Sequence, residues 1–117
     1  MNSILIKSAK NFSLKENLVN RWALDALKKY SLDGYELSIV FVKPEKIRFL
    51  NQHYRNLDQA TSILTFFQGQ ATPEKNKWLG DIVICPQQAE EKNLPIKFLI
   101  YHGIRNLLSE ISTEKSC

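Results

Sequence analysis

The side chains best suited to catalysis or metal binding lie in the C-terminal segment from Lys97 to Ser112, which reads KFLIYHGIRNLLSEIS. At about 100° per residue, one apolar stripe begins just before this segment and contains Ile96, Ile100, Ile104, Leu107 and Ile111. Opposite that stripe lie Phe98, His102, Arg105, Asn106 and Ser109. The stripe predicts a helix that packs on the rest of the protein while His102 faces a cleft or solvent. His102 is then either a solvated surface histidine or part of a variant metal-binding helix, and this helix alone leaves both interpretations open.

Length and composition indicate one domain over residues 1–117, built around one core. Hydrophobic residues make up 44% of the chain and charged residues 24%, as is usual for globular domains. The net charge of +4 favours a polyanionic partner only slightly. No membrane-spanning run or signal-peptide segment is recognised, so we expect a cytoplasmic protein in which Cys85 and Cys117 are reduced thiols.

The order of predicted elements indicates an α+β fold, with a small mixed sheet of about four strands packed with helices. Strands are predicted at residues 4–6, 35–42, 61–67 and 79–85. Helices are predicted from the Ser13–Glu16 capping box to Asp33–Gly34, from Pro44 to Arg55, from Pro86 to Lys92, and over the C-terminal segment. In the second helix, Ile47, Leu50 and Tyr54 mark the expected buried side. The polar stretch 68–77 is expected to be the mobile loop.

Three separated segments resemble one protein family. They are LNQHYR at 50–55 followed by DQATSILTF at 58–66, LGDIVI at 79–84, and His102-Gly103. In order and spacing these segments are similar to motifs of the YbeY family, and the likeness runs from about Tyr35 to Leu108, roughly two-thirds of the chain.

The resemblance implies a YbeY-like metalloprotein fold and a metal-dependent, single-strand-specific endoribonuclease. Such proteins take part in small-subunit rRNA maturation and ribosome quality control. The implied cofactor is zinc, and the implied partners are ribosomal RNA, the small ribosomal subunit and an Era-type GTPase, with no membrane. Members of the family usually continue through a further helical segment, so this chain is expected to be shorter at its C-terminus.

The family's metal motif has three histidines, of which the first two are four residues apart on a helix. By this resemblance His102 occupies the first ligand position, Asn106 the second and Ser112 the third. An imidazole, an amide and a hydroxyl do not form a tight zinc site, because zinc prefers imidazole, thiolate and carboxylate ligands. Replacement ligands to consider are His53, Glu110, Glu114 and Cys117.

Whether this chain is an enzyme therefore stays open at this point. The alternative is a metal-free homologue that binds RNA or the ribosome and has lost catalysis. A decayed gene product and an altered reading frame are further explanations for the unusual C-terminal segment.

Arg55 is the candidate for binding an RNA phosphate, as the resemblance implies for the rim of the site. Its alternative is an ion pair with Asp58 or a contact with the end of its own helix. Arg105, on the His102 side of the last helix, is a second candidate for RNA binding. His102 and Arg55 are thus the predicted catalytic pair. Ser62 and Asp81 are polar residues with two open interpretations: they orient a ligand, or they complete strand ends.

Overall fold

The computed structural model describes residues 1–8, 15–73 and 76–115, with side chains described as far as residue 111. The strands are β1 (Ser3–Ser8), β2 (Tyr35–Phe41), β3 (Ile63–Phe67) and β4 (Lys77–Ile84). The helices are α1 (Glu16–Lys29), α2 (Pro44–Arg55), α3 (Pro86–Glu91) and α4 (Ile96–Lys115). The predicted order of elements is confirmed, and so is the α+β class.

The four strands form one mixed sheet in the order β1-β2-β4-β3. β2 lies between β1 and β4 and is parallel to both, whereas β3 is antiparallel to β4 and forms an edge. The interior position of β2 explains its apolar residues on both faces, since a parallel strand inside a sheet is covered on two sides. The predicted mixed sheet of about four strands is therefore correct.

Helices cover both faces of the sheet and divide the core into two clusters. The larger cluster, called the α1/α4 cluster, buries the inward faces of α1 and α4 on residues such as Leu37, Ile39 and Ile82. The smaller, called the α2 cluster, contains Val42, Ile47, Leu64, Val83 and Cys85. In α4 the buried residues include Ile100, Ile104 and Leu107, as the predicted stripe requires.

The first helix differs from its predicted bounds at both ends. It begins at Glu16, and Ser13 of the proposed capping box lies outside the described residues. It ends at Lys29 rather than at Asp33–Gly34, because Ser31 adopts a left-handed conformation with φ 59°. The Leu32 N–H then donates to the Leu27 carbonyl at 2.9 Å, which is the Schellman arrangement that closes a helix.

The buried side of α2 was predicted wrongly at one position. Tyr54 is 61% exposed, while Asn51 is buried together with Ile47. The Asn51 Nδ2 group donates a hydrogen bond to the Gln59 carbonyl at 2.9 Å, so a polar side chain occupies the core position and holds the α2–β3 loop. Tyr54 is left to contact Phe66 at the rim of the sheet.

The segment between β3 and β4 extends their hairpin. Gly69 N–H donates to the Trp78 carbonyl at 2.8 Å, and Trp78 N–H donates to the Gln70 carbonyl at 2.7 Å. Ala71 and Lys77 form a further bridge, and residues 74–75 lie outside the described part. β3 begins at Ile63, two residues after the predicted start.

Candidate nucleic-acid interface

The edge strand β3 is flanked by α2 on one face of the sheet and by α4 on the other. On the α2 side, the Tyr54 and Phe66 rings lie edge to face with their centroids 5.0 Å apart. On the α4 side, a Cβ on Gly103 would lie 3.2 Å from the Ile63 Cδ1 atom, which shows how closely the helix backbone approaches β3. Arg55 follows Tyr54 and His102 precedes Gly103, so the two predicted catalytic residues flank the same strand from opposite faces.

His102 is exposed on the outward side of α4. Its ring stacks on Phe98, with centroids 5.9 Å apart and an interplanar angle of 15°. Arg105 and Asn106 are exposed on the same helix, as the apolar stripe predicts. No interaction within the described residues joins His102 to Arg55.

The three expected metal-ligand positions do not fit a zinc site. Asn106 is one turn from His102, but its amide is a poor zinc ligand. The Ser112 side chain lies outside the described residues, while the backbone of α4 continues without a break to Lys115. Ten residues of helix separate positions 102 and 112 by about 15 Å along the axis, too far for ligands of one ion.

The proposed replacement ligands do not form a metal site within the described part of the chain, where no three His, Cys, Asp or Glu residues come together suitably. His53 stacks on Phe49 on the other face of the sheet, and Glu110 is exposed on α4. The Glu114 side chain and Cys117 lie outside the described residues.

Arg55 is exposed and forms no hydrogen bond or ion pair within the described residues. The alternative partner Asp58 is bound by Arg48 instead, through Nε to Oδ1 at 2.8 Å and Nη2 to Oδ2 at 3.2 Å. The hydrogen bond from Arg48 and its positive charge lower the pKa of Asp58 below its usual range. Because Asp58 is paired with Arg48, the Arg55 guanidinium is left available to bind an anionic ligand.

The two smaller polar candidates are held by the sheet. Asp81 is half-buried in β4 opposite Phe66, and its Oδ2 accepts a hydrogen bond from Gln68 Nε2 at 3.0 Å. Ser62 is buried just before β3, and its carbonyl accepts the Cys85 N–H at 3.0 Å. Asp81 therefore faces the α2 side of the hairpin, and Ser62 fixes the start of β3 against the end of β4.

Sequence reasoning did not identify a row of four aromatic side chains on the α2 face. Phe49 stacks on His53, His53 meets Tyr54 edge to face, and Tyr54 meets Phe66 in the same way. The spacing of Phe49 and His53, four residues apart on a predicted helix, was a signal that could have found the first pair. The contact with Phe66 depends on the tertiary fold and has no local signal.

Comparison with known proteins identifies a single family. The family model described as Endoribonuclease YbeY matches residues 5–108. The Endoribonuclease YbeY of Aquifex aeolicus is 34% identical over 115 residues, covering 92% of this chain and 75% of that protein. The Endoribonuclease YbeY of Heliobacterium modesticaldum is 35% identical over 97 residues, covering 68% of this chain but only 58% of that protein.

A solved structure supports the same relationship. The solution structure of TM1509 from Thermotoga maritima matches with a TM-score of 0.54 and 28% sequence identity, covering 89% of this chain and 71% of that one. The named relatives are endoribonucleases, so the comparisons do not favour the alternative of a metal-free binding homologue. With the family model matching from β1 into α4, the chain belongs to the YbeY endoribonuclease family.

Proposed function

We propose that this chain acts on ribosomal RNA, as a single-strand-specific endoribonuclease in the maturation and quality control of the small ribosomal subunit. The observation that carries this proposal is the family match over residues 5–108. It is supported by the exposed, unpaired guanidinium of Arg55 at the flank of β3.

In this proposal Arg55 holds a phosphate of the RNA strand. A guanidinium offers several N–H donors in a plane and can bind two phosphate oxygens at once. Arg105 adds a second positive charge on the His102 face of α4. His102 supplies an imidazole on the α4 side of β3, a group that serves as a general acid or base in catalysis.

Zinc is the family's implied cofactor, but the donor set of this chain does not fit it. His102 is the single imidazole among the three expected positions, and α4 carries position 112 away from it. We therefore assign no step of the reaction to a metal ion. The test of the proposed activity therefore measures the metal content of the protein and the effect of metal on cleavage.

The proposed partners are the small ribosomal subunit and an Era-type GTPase, and the proposed location is the cytoplasm, where ribosomes are assembled. These assignments rest on the family. Within the described residues, no helix is long and apolar enough to span a membrane.

The test is cleavage of a labelled single-stranded fragment of small-subunit rRNA precursor, compared with the same fragment in a duplex. The untagged protein is assayed as purified, with added zinc and with a chelator, and its metal content is measured. Arg55→Ala is expected to lower kcat/KM about tenfold or more, because a charge-assisted phosphate contact is lost. Arg21→Ala is the matched control, since Arg21 is an exposed arginine on α1, which packs against α4 and β1.

Three results would change the proposal. No cleavage under any metal condition, together with RNA binding that weakens steeply with salt, would assign a metal-free binding role instead. Cleavage unchanged in His102→Ala would show a contaminating nuclease or a site elsewhere. Stoichiometric zinc that is lost in His102→Ala would show that ligands other than Asn106 and Ser112 complete a metal site.

A further inference from the structure

The outward face of α2 carries aromatic surface that folding leaves uncovered. Phe49 is 60% exposed and Tyr54 is 61% exposed, although both lie on a helix whose buried positions are Ile47 and Asn51. The core does not need the Phe49 ring. A single exposed ring is common, but a contiguous group of exposed apolar side chains marks a surface that binds a partner.

Phe49, His53 and Tyr54 are exposed, and their rings form a continuous row with the half-buried ring of Phe66. The Phe49 and His53 rings are nearly parallel, with an interplanar angle of 5° and centroids 6.0 Å apart. His53 and Tyr54 are perpendicular with centroids 4.7 Å apart, and Tyr54 continues the row to Phe66 on β3. This row, defined by Phe49, His53, Tyr54 and Phe66, leads from the middle of α2 to the edge strand.

Positive charge borders the aromatic row. Lys46 places its Nζ atom 5.5 Å from the centre of the Phe49 ring, and Arg55 follows Tyr54 at the other end. Lys43, Lys46 and Arg55 form no ion pair within the described residues. The carboxylates of Glu45 and Asp58 line the same surface as Phe49, and Asp58 is paired with Arg48. Aromatic faces between cations match the bases and phosphates of a single nucleic-acid strand.

We propose that the aromatic row of α2 stacks the bases of single-stranded RNA, while Lys46 and Arg55 contact the phosphates of the same strand. This inference rests on the proposed function and adds the surface along which the substrate lies. Unpaired bases stack on aromatic side chains without a strong sequence requirement, because each base has a π-face. A base-paired strand cannot offer those faces, so the row also accounts for a preference for single strands.

Fluorescence anisotropy tests this surface with two labelled probes. One is a short oligoadenylate, and the other is a ribose-phosphate chain of the same length and charge without bases. Phe49→Ala is expected to weaken oligoadenylate binding about 5- to 150-fold and to leave the baseless chain unaffected. The salt dependence of binding should stay as in the wild type, because no phosphate contact is removed.

Three further variants make the test specific. Phe49→Tyr keeps an aromatic face and should bind oligoadenylate as the wild type does. Leu5→Ala removes an exposed apolar side chain from β1, the opposite edge of the sheet, and should change nothing. Arg55→Ala should weaken both probes and reduce the slope of the salt dependence by about one phosphate contact. Thermal unfolding of each variant verifies that the fold is intact.

The outcomes separate this inference from the proposed function. If Phe49→Ala binds oligoadenylate like the wild type while Arg55→Ala loses affinity, the RNA function stands and the stacking surface is wrong. If the wild type binds neither probe, the proposed function fails as well. A Phe49→Ala effect confined to self-association, measured by sedimentation, would assign the row to a protein contact and overturn the inference.

Discussion

At the scale of single residues, Gly80 determines how closely the edge strand approaches β4. It lies beside an irregularity in the β2–β4 ladder, where Glu36 pairs with Trp78 but Leu37 pairs with Gly80. Its φ of 152° is a conformation that side chains rarely adopt, and a Cβ there would collide with the Phe66 carbonyl oxygen. Glycine therefore allows the hairpin that aligns Phe66 with Asp81.

We expect Gly80→Ala to lower the free energy of unfolding by about 3 kcal/mol or more, because the strained φ and the backbone collision act together. Gly34→Ala is the matched control, since Gly34 also has a positive φ of 77°. There the new Cβ would lie an ordinary 3.8 Å from Asn76 Oδ1, so only the strain of about 1 kcal/mol should appear. Urea denaturation measures both values, and equal losses would contradict the collision.

At the scale of elements, α4 controls what the C-terminal residues can do together. Gly103 lets the helix lie directly on the sheet, because a Cβ at that position would be only 2.9 Å from Ile82 Cδ1. The buried stripe then fixes the rotation of the helix and keeps His102 and Arg105 outside. The helix continues through Ser109 to Lys115.

The continuity of α4 predicts how histidines would act if they were restored. Asn106→His places two imidazoles one turn apart, and we expect zinc to bind about tenfold more tightly or better than to the wild type. Adding Ser112→His should give no further gain, because about 15 Å of helix axis separates that position from His102. Titration calorimetry with zinc compares the three proteins. A large gain from the second substitution would show that the chain turns back before residue 112.

At the element scale, the sequence predicts the aromatic pairs within each helix but not where the two helices lie relative to each other. The i and i+4 spacing makes Phe98–His102 on α4 and Phe49–His53 on α2 similar stacked pairs, and both helices flank β3. Helical periodicity can predict each pair because it is local. That both pairs border one strand follows only from the order of the strands in the sheet, which no local pattern contains.

At the scale of the whole molecule, the sequence is sufficient to predict the element order, the mixed sheet and the family. Alternating and helical periods encode burial, so β2 and the buried stripe of α4 could be predicted from their own residues. The burial of Asn51 and the exposure of Tyr54 could not, because Asn51 bonds to the Gln59 carbonyl and Tyr54 contacts Phe66, and other segments supply both partners. The pairing of Asp58 with Arg48 rather than with Arg55 likewise depends on the tertiary structure.

Cys85 offers a chemical reporter of the α2 cluster. It is fully buried, and burial raises the pKa of its thiol above the usual range. A raised pKa means that the folded state favours the neutral thiol. This contribution to stability is present below about pH 8.5, the ordinary thiol value, and is lost as the pH rises through the higher folded value. Thiol reagents should therefore react with Cys85 slowly in the native protein.

We expect the clusters on the two faces of the sheet to unfold together, since β2 and β4 contribute to both. Trp22 packs against the α1/α4 cluster and Cys85 lies in the α2 cluster, which gives one reporter on each face. In a Cys117→Ser and Trp78→Phe background at pH 7.5, Trp22 fluorescence and the equilibrium accessibility of Cys85 should change at the same urea concentration. The two transitions are expected to coincide because β2 and β4 are shared. If the helices leave one face of these strands, the packing on the other face is lost as well. If Cys85 became accessible well before Trp22 responded, α2 would open separately, and the surface proposed to bind RNA would belong to a less stable unit than the rest of the fold.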